Sequence, residues 1–279
     1  MKRGTTIVVN ENKSYHNQNI KIAIIIALFT CLLILIDFTL TTFVINNKFS
    51  EDVNAFNLLN TKTVFSIDKI VLYSSAGATS NEDKKLEWNL NISQYTDIAL
   101  YLNNRRDENL NKENYIKRMY IDKITFTPVA KGTPELYYKS INNFANYNII
   151  DSNKINEKLD YTVVNDKEID LSKPEVYADG STPITLEYLN KNILENKVFP
   201  DPKIELKYDG ELLRRAELDL SEIKCTISFN INIINYYDQK FVANVYIDVP
   251  FINNEQNIYD GSVEKTLENT NLIKFFRIE

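Results

Sequence analysis

From Ile22 to Ile45 the chain reads IAIIIALFTCLLILIDFTLTTFVI, 24 residues in which Asp37 is the one ionisable side chain. A helix rises about 1.5 Å per residue, so this run reaches about 36 Å and exceeds a hydrocarbon core of about 30 Å. No other stretch is comparably apolar, and the run therefore divides the chain. Residues 1–21 read as a short polar tail and 22–45 as a transmembrane helix. Residues 46–62 read as a juxtamembrane linker with a helical turn through Ala55–Leu59, and 63–279 as the folded body.

A cleaved secretory signal also begins with basic residues, and Lys2, Arg3, Lys13 and Lys21 precede the run. Such a signal ends at a small-x-small triplet. After Asp37 the chain reads FTLTTFVINNKF, which offers none. Cys31 lies in mid-run, where a lipidation cysteine would stand at the end. The expectation is a retained anchor. Basic residues before the helix outweigh Glu11, whereas Lys48 beyond it is followed by Glu51 and Asp52, so the tail is expected in the cytoplasm and the body outside.

On a helical wheel Asp37 shares a side with Ala23, Ala27, Thr30, Cys31 and Thr41. Ala23, Ala27 and Cys31 recur every fourth residue, the spacing that lets two helices approach closely. One reading is an interface, with a second copy of the chain or with another membrane protein. The other places Asp37 among the outer headgroups, or protonated, with no partner.

The net charge of −6 argues against nucleic acid as a partner. Of two cysteines, one lies in the membrane run, so no intrachain disulfide framework is available and the body must be held by its core. With 6 glycines and 36 asparagines, Asn and Asp are expected to take the left-handed positions at bends.

From Thr63 the period of hydrophobicity changes to two. Strands are expected through 64–73, ending at the small-residue stretch SSAGATSNED, then over 86–92, 98–102 and 119–126, with a charged loop at 103–114. A less regular middle, 129–180, has a short helix near Ser140–Asn146. Strands return at Ile184–Leu189 and Ile204–Tyr208. Ile223 to Ile233 and Phe241 to Val249 alternate cleanly around the turn NYYDQK and read as an antiparallel hairpin. A last strand covers Leu272–Ile278. Nine or ten short strands without a long helix point to an all-β body, a β-sandwich of jelly-roll or immunoglobulin-like kind. The tetrapeptide IDKI occurs at 67–70 and 121–124; two subdomains split near 130–180 would explain it, and so would chance.

Several stretches together resemble a family of single-span surface proteins of low-GC Gram-positive bacteria to which no activity is assigned. They are EWNLNISQYTDIALYL (87–102), GTPELYYKSINNFANY (132–147), PITLEYLNKNI (183–193), YDGELLRRA (208–216), DQKFVANVYIDVP (238–250) and IYDGSVEKTLENT (258–270). The resemblance implies a membrane anchor and a surface location. It supplies no catalytic residue.

His16, the single histidine, sits in the tail, so no nucleophile–histidine pair and no His-type zinc site is expected in the body. Ser66-x-x-Lys69 and Ser221-x-x-Lys224 match a hydrolase spacing but lack its companion motifs. Glu187, Glu205, Asp219 and Asp248 are carboxylates with ordinary solvent-face readings. Asp179-Gly180, Asp209-Gly210 and Asp260-Gly261 read as turns before they read as calcium donors. Trp88 and Cys225 read as core. Tyr95, Tyr101, Tyr236 and Tyr237 are the exposed-aromatic candidates for contact with a protein or a cell-wall glycan. The functional expectation is a membrane-anchored binding or assembly module without cofactor. The alternatives are a carboxylate-dependent cell-wall glycan hydrolase, and a subunit docked in a membrane complex through Asp37.

Overall fold

The computed structural model describes residues 8–59, 64–80, 88–104, 115–165, 167–199, 206–250 and 263–278. One helix, α1 (Val8–Leu59), runs for 52 residues. Its stretch Ile20–Val44 is long and apolar enough to cross a membrane. Helix continues beyond residue 45 into the span read as a linker, where neither Gly nor Pro interrupts it before Leu59. The body is a second unit, beginning at Leu59.

Eleven strands build the described part of the body. They are β1 (Phe65–Ser80), β2 (Trp88–Asn104), β3 (Ile116–Phe126), β4 (Thr133–Tyr138), β5 (Leu159–Val164) and β6 (Glu175–Tyr177), followed by β7 (Ile184–Phe199), β8 (Cys225–Asn235), β9 (Lys240–Val249), β10 (Val263–Lys274) and β11 (Phe276–Arg277). One sheet has the order β10-β1-β2-β7-β4 and the other β11-β9-β8-β3-β5-β6. Pairing is antiparallel except between β5 and β6. The all-β expectation is met by two sheets packed face to face.

Alternation explains the core. Cys225, Ile227, Phe229, Ile231 and Ile233 of β8, with Phe241, Ala243, Val245, Ile247 and Val249 of β9, turn inward and are buried. Rings meet across the sheets: Phe65 on Phe241 at 5.2 Å between centroids, and Phe126 beside Tyr188 at 6.1 Å. Toward the far ends of β1, β2 and β7 two short helices, α2 (Gly210–Arg215) and α3 (Leu220–Ile223), bury Leu212, Leu213 and Ile223 against Leu90, Ile92, Ile193 and Phe199. Asp219 and Glu222 close a capping box on α3.

Several expectations are corrected. The small-residue stretch does not end β1, which runs on through Ser80. Its first seven residues, Ser74–Ser80, lie inside the strand, and a ring packs there: a Cβ on Gly77 would stand 2.5 Å from Cγ of Tyr147. The helix expected near Ser140–Asn146 is a single 3-10 turn, Ile141–Asn143. Leu206–Tyr208 is not strand, and Asp209-Gly210 is a helix start in which Asp209 accepts from the Glu211 amide. Asp179-Gly180, by contrast, is a turn as its residues suggest, with Gly180 at φ 69°. Asp260-Gly261, Glu205 and the loop 105–114 lie outside the described residues.

Both IDKI segments fall where strand register shifts, between Ile67 and Lys69 in β1 and between Asp122 and Thr125 in β3. In each, an asparagine of the neighbouring strand pairs with the residue two before the aspartate and donates to that aspartate. Asn103 opposes Ser66 and reaches Asp68 Oδ2 at 2.5 Å; Asn232 opposes Tyr120 and reaches Asp122 Oδ1 at 2.8 Å.

Candidate functional site

Register carries one row of side chains across four strands: Tyr73 opposes Asp97, Asp97 opposes Glu187, and Glu187 opposes Tyr137. Directly opposed residues point to the same face. Thr96, Leu186 and Tyr188 on these strands face the other sheet, so Asp97 and Glu187 face away from it, where alternation alone predicts water.

They meet none. Asp97 is 0% and Glu187 1% exposed, because residues 140–149 cross this face as a strap. The Tyr147 ring lies 5.4 Å from that of Tyr95, tilted to it, and Tyr147, Ile149 and Tyr73 pack on Tyr95, Tyr137 and Leu189. Between the carboxylates stands Lys139, itself 2% exposed, with Nζ 2.7 Å from Glu187 Oε2 and 3.4 Å from Asp97 Oδ1. Lys139 also donates to the Asn146 carbonyl at 2.7 Å, and the Ala145 amide donates to Asp97 Oδ2 at 2.7 Å. Glu187 Oε1 has no hydrogen-bond partner.

Electrostatics follow from burial. Desolvation is the largest influence on Asp97 and outweighs the attraction of Lys139, pushing its carboxyl up to about 7, with the charge of Glu187 adding to the rise. Glu187 is raised for the same first reason. A buried pair of carboxyls with raised affinity for protons is the arrangement acid–base enzymes use. Here Lys139 occupies the space between them, and the strap closes the site.

The chain was set beside family models, curated proteins and solved structures. None of them matches.

The solvent-face reading of Glu187 is therefore corrected, and Asp97 and Lys139 join it in a buried charged cluster that alternation does not reveal. Tyr95 is corrected as well: it is 3% exposed, lies in the floor beneath the strap, and its hydroxyl is held above the ordinary range by burial. Tyr101 is half-buried beneath Lys69, whose Nζ lies 5.4 Å from its ring centroid. Tyr236 and Tyr237 are exposed on the β8–β9 turn, where Tyr236 meets the edge of Tyr115 and donates to Asn165. Tyr246 of β9, which sequence reasoning passed over, is the most exposed of the three at 70%.

Asp219 caps α3 and Asp248 accepts from Thr226 Oγ1. Ser66 donates to Asp68 and Ser221 to Asp219, so neither serine is aimed at the lysine three residues on. Cys225 is buried, and its thiol donates to the Thr127 carbonyl. The side chains of Trp88 and His16 lie outside those described. Ala23, Ala27, Thr30, Cys31, Asp37 and Thr41 are all exposed on α1, with Thr30 Oγ1 bonded to the Ile26 carbonyl one turn back. Among the described residues, no group of three or more His, Cys, Asp and Glu is gathered to hold a metal.

Proposed function

We propose that the chain is a membrane-anchored β-sandwich that binds or assembles with a partner at the cell surface, through exposed tyrosines and without catalysis. The helix Ile20–Val44 is the anchor, and the excess of Lys2, Arg3, Lys13 and Lys21 holds the tail in the cytoplasm and the body outside. One observation carries the choice of binding over hydrolysis. A glycosidase needs two carboxyls facing each other across a groove that admits a sugar. The opposed carboxyls Asp97 and Glu187 are bridged by Lys139 and roofed, while Tyr236, Tyr237 and Tyr246 stand in solvent. Tyrosine joins a large apolar ring to a polar tip, which suits either a protein or a glycan surface.

Proximity labelling from the body in native cells tests this, comparing wild type with the triple variant Tyr236→Ala, Tyr237→Ala, Tyr246→Ala. The expected result is a defined set of outer-surface neighbours that the variant loses while its melting temperature stays unchanged. Labelling confined to cytoplasmic proteins, or release of sugar reducing ends from purified cell wall by the wild-type chain, would overturn it.

A further inference from the structure

We propose that the strap 140–149 is latched by a proton: it lies closed while Asp97 and Glu187 hold one proton between them beside Lys139, and it loosens when that proton passes to water. The first support is a count of charge. Two carboxyls stand opposite each other on neighbouring strands, both sealed from solvent, with one ammonium between them. Were both ionised, one negative charge would remain uncompensated in a place water does not reach, and buried groups shed such a charge by keeping a proton.

The second support is the pattern of hydrogen bonds. Lys139 Nζ spends its contacts on Glu187 Oε2, the Asn146 carbonyl and, at a longer distance, Asp97 Oδ1. Glu187 Oε1 is left without a donor and Asp97 Oδ1 with only the 3.4 Å ion pair. Together they present the oxygens on which a carboxylic proton would sit.

The third is that the same groups hold the strap. Ala145 donates its amide to Asp97, Asn146 receives Lys139, and Tyr147 lies in the space left by Gly77. Ala145 holds a left-handed φ of 63° to do so, a conformation an alanine keeps only where its surroundings fix it. The other ionisable groups turned toward the pair are tyrosines: Tyr73 of β1, Tyr95 of β2, Tyr137 of β4 and Tyr147 of the strap. Burial holds the hydroxyls of Tyr95, Tyr137 and Tyr147 above their ordinary range. Glu135 beyond Tyr137 is matched by Lys154, with Lys191 nearby, and Asp151 acts on Tyr137 from the segment after the strap. Lys139 is the cation these elements bring to the pair.

Linkage then fixes the direction. A lifted strap admits water and returns both carboxyls to ordinary acidity, so closing the strap and binding the proton favour each other by the same amount. Hydrogen exchange on the full chain in detergent micelles reads this directly. Strap opening, corrected for the intrinsic exchange rate and referenced to β8, rises by up to about tenfold per pH unit between about pH 5 and 7 and levels above about pH 8. In Asp97→Asn, and in Glu187→Gln, it stays closed and flat. Equal pH dependence in wild type and either variant would overturn the latch. Infrared spectra of the wild type alone supply the second check. A protonated-carboxyl band at about pH 6 that vanishes by about pH 9 is expected, and its absence at the lower pH overturns the proposal even if neither variant folds.

Discussion

A carboxyl that binds its proton more tightly in the folded chain than in the unfolded one makes stability fall as pH rises. Asp97, pushed up to about 7 from an ordinary value near 3.8, is such a group, and Glu187 shifts the same way. Between about pH 4 and 7 the folded chain carries protons that the unfolded chain has released, so stability declines across that window and levels above it. Glu135, Asp160, Asp170, Glu211 and Glu222 are held below their usual range by neighbouring cations or amides, and their support is lost as pH falls beneath about 4. Asp160 is exposed and the other four are half-buried, and each pairing is individually weak. Thermal unfolding of the body is therefore expected to peak at mildly acid pH, and Asp97→Asn to flatten the neutral limb while leaving the acid limb in place. None of this is legible in TDIALYL or TLEYL. There Asp97 and Glu187 occupy alternating positions that read as solvent-facing, and the segment that covers them is irregular and lies about forty residues from either.

At the scale of elements, the hairpin β8–β9 was readable because one face alone is buried, which imprints a period of two on both strands. β2 and β7 were readable only in part. Ser93 to Leu100 and Ile184 to Asn190 are buried on both faces, so polar residues on the roofed face mimic solvent exposure. The run Ile204–Tyr208 looked like strand, yet its described end leads into α2, whose start is set by the Asp209 side chain. Caps of this kind have a measurable weight. Asp219 accepts from the Ser221 amide while Glu222 returns a bond to the Asp219 amide. Asp219→Ala is expected to lower stability by about 1 kcal/mol in chemical denaturation, with the loss confined to the region where α3 packs. The bends follow the same logic. Asn192, Asn196 and Asp238 take positive φ in a chain short of glycine, as their side chains allow, while Lys123, Ala145 and Glu217 do so under the constraint of their surroundings.

For the whole molecule, the two cysteines are both free, one exposed on α1 and one sealed in the core. Reducing agent is expected to leave the melting temperature of the body unchanged, as scanning calorimetry with and without it would show. The apolar run and the all-β body were both plain from the sequence, because each rests on periodicity or its absence over many residues. The identical tetrapeptides invite a different lesson. Asp68 and Asp122 each fasten a slipped register to an asparagine on the adjoining strand, once in either layer. A scan for duplicated segments would take those eight letters as a trace of common ancestry between the two layers. Their likeness is accounted for by a shared mechanical duty: in a polypeptide that rarely spends a glycine, a kinked strand has to be clasped with side chains, and the same clasp is spelled the same way twice.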